Sequence, residues 1–418
     1  MNLHTHDFGA ISDRMQTNDN KLVSAEFRDY SITSAFQPIF SLSHRHPVGY
    51  EALCRAKSSD GIPISPIALF DQVKDESDNV VLDRLCRAVH VKNFSRFTSK
   101  SWIFLNVNPL VTVLGKNYGS FFKEMLEKNN ISPNQVVIEI LEKKIYDESI
   151  LAAAINYYKD LGCLIAIDDF GASHSNFDRI WNIKPDIVKF DRSIIIQAEQ
   201  CPIVRKALPN MVALIQDIGC ITLMEGIETE QQALIAIDSN VDLVQGYYFG
   251  YPAEHLVDPF NQDDTLFRLS GKHNEISTVT KSRYQELVDS PLTEFKAALQ
   301  KISAGVQEPD MACPKLLALP NVNNMYFLDE NGYQIGGNII NQLKPETTDL
   351  RYRPLFEAKG ANWSRRHYFK QAIRNPGEIQ ATRPYRSMLG RAQCITLSAL
   401  INSPSGKLVA CLDLNWAY

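Results

Sequence analysis

The sequence predicts an α/β protein: a modified (β/α)8 barrel of the TIM type with one antiparallel strand, joined by a long helix to a C-terminal α+β domain. Eight short apolar runs alternate with segments of helical periodicity between residues 36 and 252, which is typical of a parallel sheet covered by helices. Only residues 43–47 separate the first two runs, too few for a parallel crossover, so these runs should form a hairpin. Beyond residue 320, strand-like runs are joined by the turn sequences DENG and SPSG, which indicates an antiparallel sheet.

These patterns predict the individual elements in chain order. The predicted strands are 36–42, 48–55, 102–108, 136–142, 164–169, 186–190, 220–225 and 242–246. The predicted helices of the barrel are 66–73, 80–97, 120–128, 149–161, 204–217 and 229–237. The expected domains are an N-terminal tail (1–24), the barrel (25–258), a helical connector (259–320) and the final domain (321–418). Within the connector, residues 259–280 are polar and interrupted, whereas 281–302 should form one long helix.

Composition excludes several classes of protein. The 418 residues include 43 Lys or Arg and 48 Asp or Glu, so the net charge of −5 gives no bulk attraction for a nucleic acid polymer or an anionic membrane. The apolar runs are far shorter than the roughly 18 residues of a membrane span. The N-terminus is polar where a secretion signal would be apolar. Eight cysteines without CxxC spacing argue against a disulfide scaffold and a zinc site, so a reducing cytoplasm is the expected compartment.

Polar side chains end or interrupt seven of the predicted barrel strands, at the face where such barrels build their sites. They are Glu51, Asn106, Glu139, Asp168 with Asp169, Lys189, Glu225 and Gln245. Converging carboxylates repel one another unless cations neutralise them, and oxygen donors suit Mg²⁺ or Mn²⁺ better than zinc. Two such ions could polarise a phosphate and activate a water, which favours phosphodiester hydrolysis.

Seven ordered segments carry a resemblance to a known family. They are EALCR (51–55), FLNVNP (104–109), EILE (139–142), DDFGA (168–172), PDIVKFD (185–191), EGIETEQQ (225–232) and QGYYFGYP (245–252). In order and spacing they resemble the EAL-domain family of cyclic di-GMP phosphodiesterases, over about 230 residues. The resemblance implies hydrolysis of cyclic di-GMP to linear pGpG. No segment resembles the GGDEF signature of the opposing cyclase, so synthesis is not expected.

The resemblance also implies a role for each matching position. Glu51, Asn106, Glu139 and Asp168 would bind a metal ion, and Asp169 and Glu225 would help to hold a second one. Lys189 would act with Glu225 in catalysis by orienting the attacking water or neutralising charge, while Glu228 would support the site and Glu142 would anchor the loop after DDFG. Gln37, Leu53, Arg55, Gln245 and Pro252 would contact the dinucleotide, with the planar guanidinium of Arg55 binding a phosphate.

One loop departs from the family pattern. The family usually continues DFG(T/A)GYSS, whereas this chain reads DFGASHS, with Ser173 in place of a glycine. The departure leaves an alternative open: a catalytically silent receptor that binds cyclic di-GMP and signals to a protein partner. A barrel that acts on some other phosphodiester is a third reading. Because the family dimerises near this loop, we also expect a homodimer.

The C-terminal domain has its own resemblance. Residues 351–391 contain ten Lys or Arg and two acids, a net charge of +8. The segment NWSRRHYFKQAI (362–373) and the strands after it resemble Cache and PAS-like sensor domains, which bind small metabolites beside the sheet. The resemblance places Trp363, Arg366, Tyr368 and Asp413 at ligand positions. A docking or dimerisation domain explains the basic segment equally well.

Overall fold

In the computed structural model the described residues are 7–18, 21–97, 100–108, 121–140, 148–172, 177–257, 264–306, 313–340, 358–386 and 393–416. The chain divides into two compact units, Met1–Glu275 and Ile276–Tyr418. No helix within the described ranges carries an apolar stretch long enough to cross a bilayer.

The first unit is built on a closed barrel. Its strands are β1 (Met15–Thr17), β2 (Val23–Phe27), β3 (Tyr30–Ser41), β4 (Pro47–Ser58), β5 (Pro63–Ile64), β6 (Trp102–Val107), β7 (Val136–Ile140), β8 (Leu164–Phe170), β9 (Ile187–Phe190), β10 (Ile221–Met224) and β11 (Leu243–Val244). The sheet runs β1-β2-β3-β11-β10-β9-β8-β7-β6-β4-β5, and pairing of β3 with β4 closes an eight-stranded ring. Within this ring β3 is antiparallel to both neighbours. The predicted hairpin and the single antiparallel strand are therefore confirmed.

Helices cover the outside of the barrel. They are α1 (Phe8–Ser12), α2 (Pro66–Asp71), α3 (Glu76–Phe94), α4 (Phe121–Lys128), α5 (Glu148–Leu161), α6 (Phe177–Ile183), α7 (Arg192–Gln200), α8 (Pro202–Asp217) and α9 (Glu230–Asp238). The sequence did not predict α6 and α7, which are short. Only Cys201 separates α7 from α8, and Pro202 occupies the first position of α8, where its missing N–H costs no hydrogen bond.

The N-terminal segment that was expected to be a tail contains α1, β1 and the start of β2. Phe8 and Ile11 of α1 are buried in the main barrel core. The backbone N–H of Val23 donates to Asn93 Oδ1 at 2.8 Å, and Asn93 Nδ2 donates back to the carbonyl oxygen of Val23. These apolar and polar contacts attach the segment to α3.

The helix after the barrel, α10 (Asp264–Ser303), is 40 residues long and starts earlier than the sequence predicts. Residues 264–280, expected to be interrupted, are helical. Leu266 and Leu269 are buried against the barrel core, and Lys272 Nζ lies 2.8 Å from Glu230 Oε1. These contacts stabilise a stretch whose polar composition alone is a weak helix signal.

The second unit is an antiparallel sheet with helices on its faces. Its strands are β12 (Val322–Leu328), β13 (Gln334–Ile340), β14 (Gln380–Ala381), β15 (Tyr385–Arg386), β16 (Gln393–Ser403) and β17 (Gly406–Trp416), and its short helices are α11 (Pro314–Leu317) and α12 (His367–Arg374). The sheet order is β13-β12-β17-β16-β14, with β15 also paired to β16. The DENG and SPSG turns join β12 to β13 and β16 to β17, as predicted.

Candidate active site

An apolar layer fills the barrel and forms the floor of the candidate site. Seven strands each contribute one buried interior residue to it: Ile39, Phe104, Val137, Ala166, Ile187, Leu223 and Leu243. β4 contributes Gly49, where an added Cβ would lie 2.6 Å from Phe104 Cε2, so the Phe104 ring occupies the space of the missing side chain. The barrel interior is therefore a packed core and not a pore.

A layer of polar side chains lies two residues along each strand from this floor, toward the mouth of the barrel. Because side chains alternate along a strand, the residue two positions from each floor residue faces the same interior. On the seven mutually parallel strands this position lies toward the C-terminus, and on antiparallel β3 it lies toward the N-terminus. The residues at these positions are Gln37, Glu51, Asn106, Glu139, Asp168, Lys189, Glu225 and Gln245. The strand alternation thus brings the predicted residues to one mouth of the barrel.

Lys189 occupies the centre of the polar layer. Its Nζ lies 2.5 Å from Glu139 Oε1, 2.5 Å from Glu225 Oε1, 3.2 Å from Asp168 Oδ1 and 3.9 Å from Glu51 Oε2. The side chain of Lys189 is 1% exposed and that of Glu139 is fully buried. One ammonium group therefore bridges the carboxyl groups of three strand residues and of Glu225, which directly follows β10.

Amide side chains connect the carboxylates. Asn106 Nδ2 donates to Glu51 Oε1 at 3.1 Å and to Glu139 Oε2 at 2.9 Å. Gln245 Nε2 donates to Glu51 Oε2 at 2.7 Å and to Gln37 Oε1 at 3.2 Å. These bonds hold Glu51 in one position at the barrel mouth.

Asp168 and Asp169 are consecutive, yet both contribute to the site. In a regular strand their side chains would point to opposite faces. The register between β8 and β9 shifts between Ile167 and Phe170, and Asp169 has a φ of 57°, a left-handed conformation that is uncommon for aspartate. As a result, carboxylate oxygens of Asp168, Asp169 and Glu225 lie within 4.8 Å of one another, a spacing that suits a shared cation.

The charges of this cluster do not balance. Burial, together with repulsion from Glu51, raises the pKa of Glu139 well above its ordinary value. Burial also raises the pKa of Glu225 to about 8, although Lys189 opposes the shift. For Lys189, burial acts to lower the pKa, but the nearby carboxylates, Asp168 first among them, have the larger effect and raise it well above its ordinary value. The ammonium group therefore stays charged. This surplus of oxygen donors and negative charge fits divalent cations.

Glu228 lies beside the cluster and not within it. Its Oε2 lies 2.8 Å from Arg192 Nη2, and its backbone N–H donates to Gln232 Oε1 at 2.8 Å. Arg192 is a site-adjacent residue that the sequence analysis missed. Its only signal in the sequence is its position directly after Asp191, at the end of β9.

The residues expected to contact the dinucleotide surround the mouth. Leu53 and Arg55 are half-buried residues of β4, and Arg55 Nη1 donates to the carbonyl oxygen of Cys54 at 2.9 Å. Gln37 Nε2 donates to the carbonyl oxygen of Gly250 at 3.2 Å, and Pro252 precedes a backbone bridge between Phe36 and Ala253. Glu142 and the altered loop at 173–176 lie outside the described residues.

The candidate sensor residues of the second unit are also close together. Tyr368 is buried beside Tyr326 and packs against half-buried Tyr385, and the guanidinium carbon of Arg366 lies 5.9 Å from the centre of the Trp363 ring. Asp413 is buried on β17, where its Oδ1 accepts a 2.6 Å hydrogen bond from Thr396. Trp363 Nε1 donates to Gln334 Oε1 at 3.0 Å.

Comparison with known proteins is consistent with this geometry. Residues 21–252 match the family model described as the EAL domain. The EAL-domain containing protein YkuI of Bacillus subtilis is 28% identical over 349 residues, 81% of this chain and 83% of YkuI. The probable cyclic di-GMP phosphodiesterase PdeB of Escherichia coli is 26% identical over 241 residues, 56% of this chain and 45% of PdeB.

A solved structure resembles most of the chain. The crystal structure of Bacillus subtilis YkuI, in complex with substrate c-di-GMP and calcium, matches with a TM-score of 0.74 at 25% identity. The match covers 93% of this chain and 97% of the YkuI chain, so the similarity extends beyond the barrel into the second unit.

Proposed function

Because the chain belongs to the EAL-domain family, we propose that it hydrolyses cyclic di-GMP to linear pGpG with two divalent metal ions, Mg²⁺ or Mn²⁺. The observation that carries this proposal is the convergence of Glu51, Glu139, Asp168 and Glu225 around one buried ammonium, with Asp169 beside them. The complex of YkuI with substrate c-di-GMP and calcium supports both the nucleotide and a bound divalent ion.

The oxygen donors divide into two groups. Glu51, Asn106, Glu139 and Asp168 would hold one ion, and Asp169 and Glu225 would help to hold the other. When bound, the ions would polarise the phosphate and acidify the attacking water. Asn106 now donates from its amide nitrogen to two carboxylates, so rotation of that amide would present its oxygen to a cation.

The chain's own residues position the substrate and control charge. Arg55 is expected to bind a phosphate oxygen through its planar donors, while Gln37, Leu53, Gln245 and Pro252 contact the rest of the dinucleotide. Lys189 keeps its proton, so its ammonium can orient the water and stabilise negative charge that develops on the phosphate. Glu228 keeps Arg192 in place next to the site.

Measurement of pGpG release tests the proposal. We expect turnover with Mg²⁺ or Mn²⁺, and a loss of several orders of magnitude in Glu51→Ala. Glu127→Ala is the matched control, because Glu127 is an exposed acid on α4. Wild-type turnover no faster than that of Glu51→Ala would refute hydrolysis of this substrate.

The altered sequence DFGASHS favours a second candidate function, a receptor that binds cyclic di-GMP without turnover. Tight binding without pGpG release across several divalent metals would support this reading. Recovery of turnover in Ser173→Gly would locate the defect in that loop, since glycine adopts left-handed conformations that serine disfavours.

We further propose that the second unit regulates the barrel by binding a small molecule through Trp363, Arg366, Tyr368 and Asp413, and that the chain forms a homodimer. A double variant of the intact chain, Trp363→Ala with Arg366→Ala, should differ from wild type in turnover. Equal turnover would count against regulation through these residues.

Light scattering at dilute protein tests the proposed homodimer, and a monomer mass would exclude it.

A further inference from the structure

Two cysteines that are 32 positions apart in sequence lie side by side next to the candidate active site. Cys86 Sγ lies 3.8 Å from Cys54 Sγ, and both residues are buried. Cys54 belongs to β4 and Cys86 to α3, which packs against that strand. All eight cysteines of the chain fall within the described residues, and none of them forms a disulfide.

We propose that Cys54 and Cys86 form an oxidisable dithiol, which peroxide converts into a disulfide that weakens nucleotide binding at the barrel mouth. A disulfide requires the two sulfur atoms at about 2.05 Å, so they must approach by only about 1.8 Å. Rotation of the two side chains and a small shift of α3 can supply that distance.

The thiols are accessible to a small oxidant. Both line a cavity of about 260 Å³ that also contacts Leu53, His90 and Asn106. A water molecule occupies about 30 Å³ of liquid, so the cavity has room for hydrogen peroxide. Asn106 is one of the proposed metal ligands, which places this cavity next to the reacting groups.

The two thiols differ in chemical character. The hydrogen bond from Cys86 and the positive charge of Arg55 lower the pKa of Cys54 against the opposing effect of burial. The same hydrogen bond, together with burial, raises the pKa of Cys86 well above its ordinary value. Cys54 is therefore the nucleophile and Cys86 the thiol that completes the disulfide.

The chemistry balances with hydrogen peroxide as the oxidant. The Cys54 thiolate attacks one peroxide oxygen, the O–O bond breaks, and Cys54 sulfenic acid and hydroxide form. The Cys86 sulfur then attacks the Cys54 sulfur, and the sulfenic hydroxyl leaves as water with the Cys86 proton. Overall, two thiols and one peroxide give one disulfide and two waters, and a thiol reductant reverses the change.

The consequence for nucleotide binding follows from the place of Cys54 in the chain, and this step rests on the proposed function. Cys54 lies between Leu53 and Arg55, the two residues of β4 proposed to contact the dinucleotide. The backbone carbonyl of Cys54 also accepts the hydrogen bond from Arg55 Nη1. A disulfide that pulls Cys54 toward α3 moves this segment. We expect the affinity for cyclic di-GMP to fall by roughly tenfold, the factor that loss of one charged hydrogen bond, such as one from Arg55, would cost.

Peptide mapping of the intact wild-type chain tests the modification. The reduced protein is treated with hydrogen peroxide, the remaining thiols are alkylated, and the digest is searched for a Cys54–Cys86 crosslink that dithiothreitol removes. Cys163 and Cys201 are controls within the same molecule: Cys163 is a buried thiol whose pKa burial raises to about 12, and Cys201 is half-buried. Failure to form the crosslink, or oxidation of Cys201 ahead of Cys54, would overturn the proposal.

Calorimetric titration of cyclic di-GMP with Ca²⁺ tests the coupling. Oxidised wild type should bind more weakly than reduced wild type, while peroxide-treated Cys86→Ser should keep its affinity. A crosslink that leaves the affinity unchanged would overturn the coupling. If reduced wild type binds no nucleotide at all, the proposed function fails, and the crosslink result still decides whether the dithiol exists.

Discussion

Lys189 shows how a single residue makes an acidic cluster compatible with folding. A buried carboxylate is costly unless it is paired, and here one ammonium lies within 4 Å of Glu51, Glu139, Asp168 and Glu225. The pairing is incomplete, since four carboxylates share one positive charge. The remaining electrostatic cost is the physical reason that the site should bind cations.

Glu139→Gln should lower turnover without lowering the stability of the protein. Glu139 is fully buried and its pKa is raised well above its ordinary value, so its negative charge is costly in the metal-free protein, and glutamine removes that cost. In the presence of EDTA we expect the free energy of unfolding to stay level or rise by roughly 1 kcal/mol. Turnover should fall by about 100-fold or more, because the amide is a poor replacement for a metal-binding carboxylate.

Thermal unfolding in EDTA and pGpG release with Mn²⁺ measure the two effects. Glu127→Gln on the exposed face of α4 should change neither quantity. A Glu139→Gln variant that unfolds far more easily than wild type while it keeps its turnover would contradict the assignment of Glu139 to the metal site.

Asp413 should give the second unit a measurable pH dependence. Burial raises the pKa of Asp413 from 3.8 to about 6 despite its hydrogen bond from Thr396. Between these two pKa values the native state holds a proton that the unfolded chain has released, so the free energy of unfolding falls as pH rises from about 4 to 6 and then levels off. Asp413→Asn removes this dependence.

Denaturant unfolding of wild type and Asp413→Asn at pH 5.0 and pH 7.5 checks this prediction. Relative to the variant, wild type should lose about 1.4 kcal/mol between these two pH values. An equal change in both proteins would mean that Asp413 titrates normally in the folded state.

Strand alternation explains which site residues the sequence could predict. Glu51, Asn106, Glu139, Lys189 and Gln245 fall two positions after apolar floor residues, so their pattern is visible in the sequence. The left-handed conformation of Asp169 and the contact between Cys54 and Cys86 are not visible, since a bulge and a packing contact between distant segments leave no periodic signal.

At the scale of elements, the sequence predicts best where periodicity is strong. All eight predicted barrel strands and the hairpin between β3 and β4 are present. The helices α6 and α7, of seven and nine residues, were not predicted. The start of α10 was missed because its stability comes from contacts with the barrel, which local composition does not report.

Two glycine-to-alanine substitutions should change stability in opposite directions, because an added Cβ clashes with backbone at one position and meets open space at the other. At Gly246, which follows Gln245, a Cβ would lie 2.1 Å from the backbone oxygen of Ile227, and backbone cannot move away cheaply. We expect Gly246→Ala to cost roughly 2 kcal/mol or more. Gly271 is a helical residue of α10 with no atom within 4 Å of an added Cβ, so Gly271→Ala should stabilise by about 0.5–1 kcal/mol.

Chemical denaturation of both variants beside wild type measures these energies, and each variant serves as the control for the other. Gly246→Ala should also reduce turnover, because the clash displaces the segment that carries Gln245. A neutral Gly246→Ala would show that this segment relaxes without cost.

At the scale of the whole molecule, each compact unit has its own apolar core. The barrel core includes residues from Phe8 to Leu269, while the core between α10 and the second sheet runs from Val288 to Leu414. Because the cores are separate, a ligand that binds one unit can stabilise that unit without stabilising the other unit equally. The local stability of each unit therefore reports whether a ligand is bound to it.

Divalent metal ions should therefore stabilise the barrel in the intact chain. An ion that binds only the native state adds about 2.7 kcal/mol to the free energy of unfolding at 100 times its dissociation constant. Hydrogen exchange resolved by peptide should show slower exchange in β6, β7 and β8 when Mn²⁺ replaces EDTA. Asp168→Asn should lose most of this protection, whereas Asp217→Asn, at an exposed position of α8, should retain it. Equal exchange rates in Mn²⁺ and EDTA for the wild-type barrel strands would show that the carboxylates around Lys189 are neutralised without metal, and the two-metal reaction would then have no basis in this cluster.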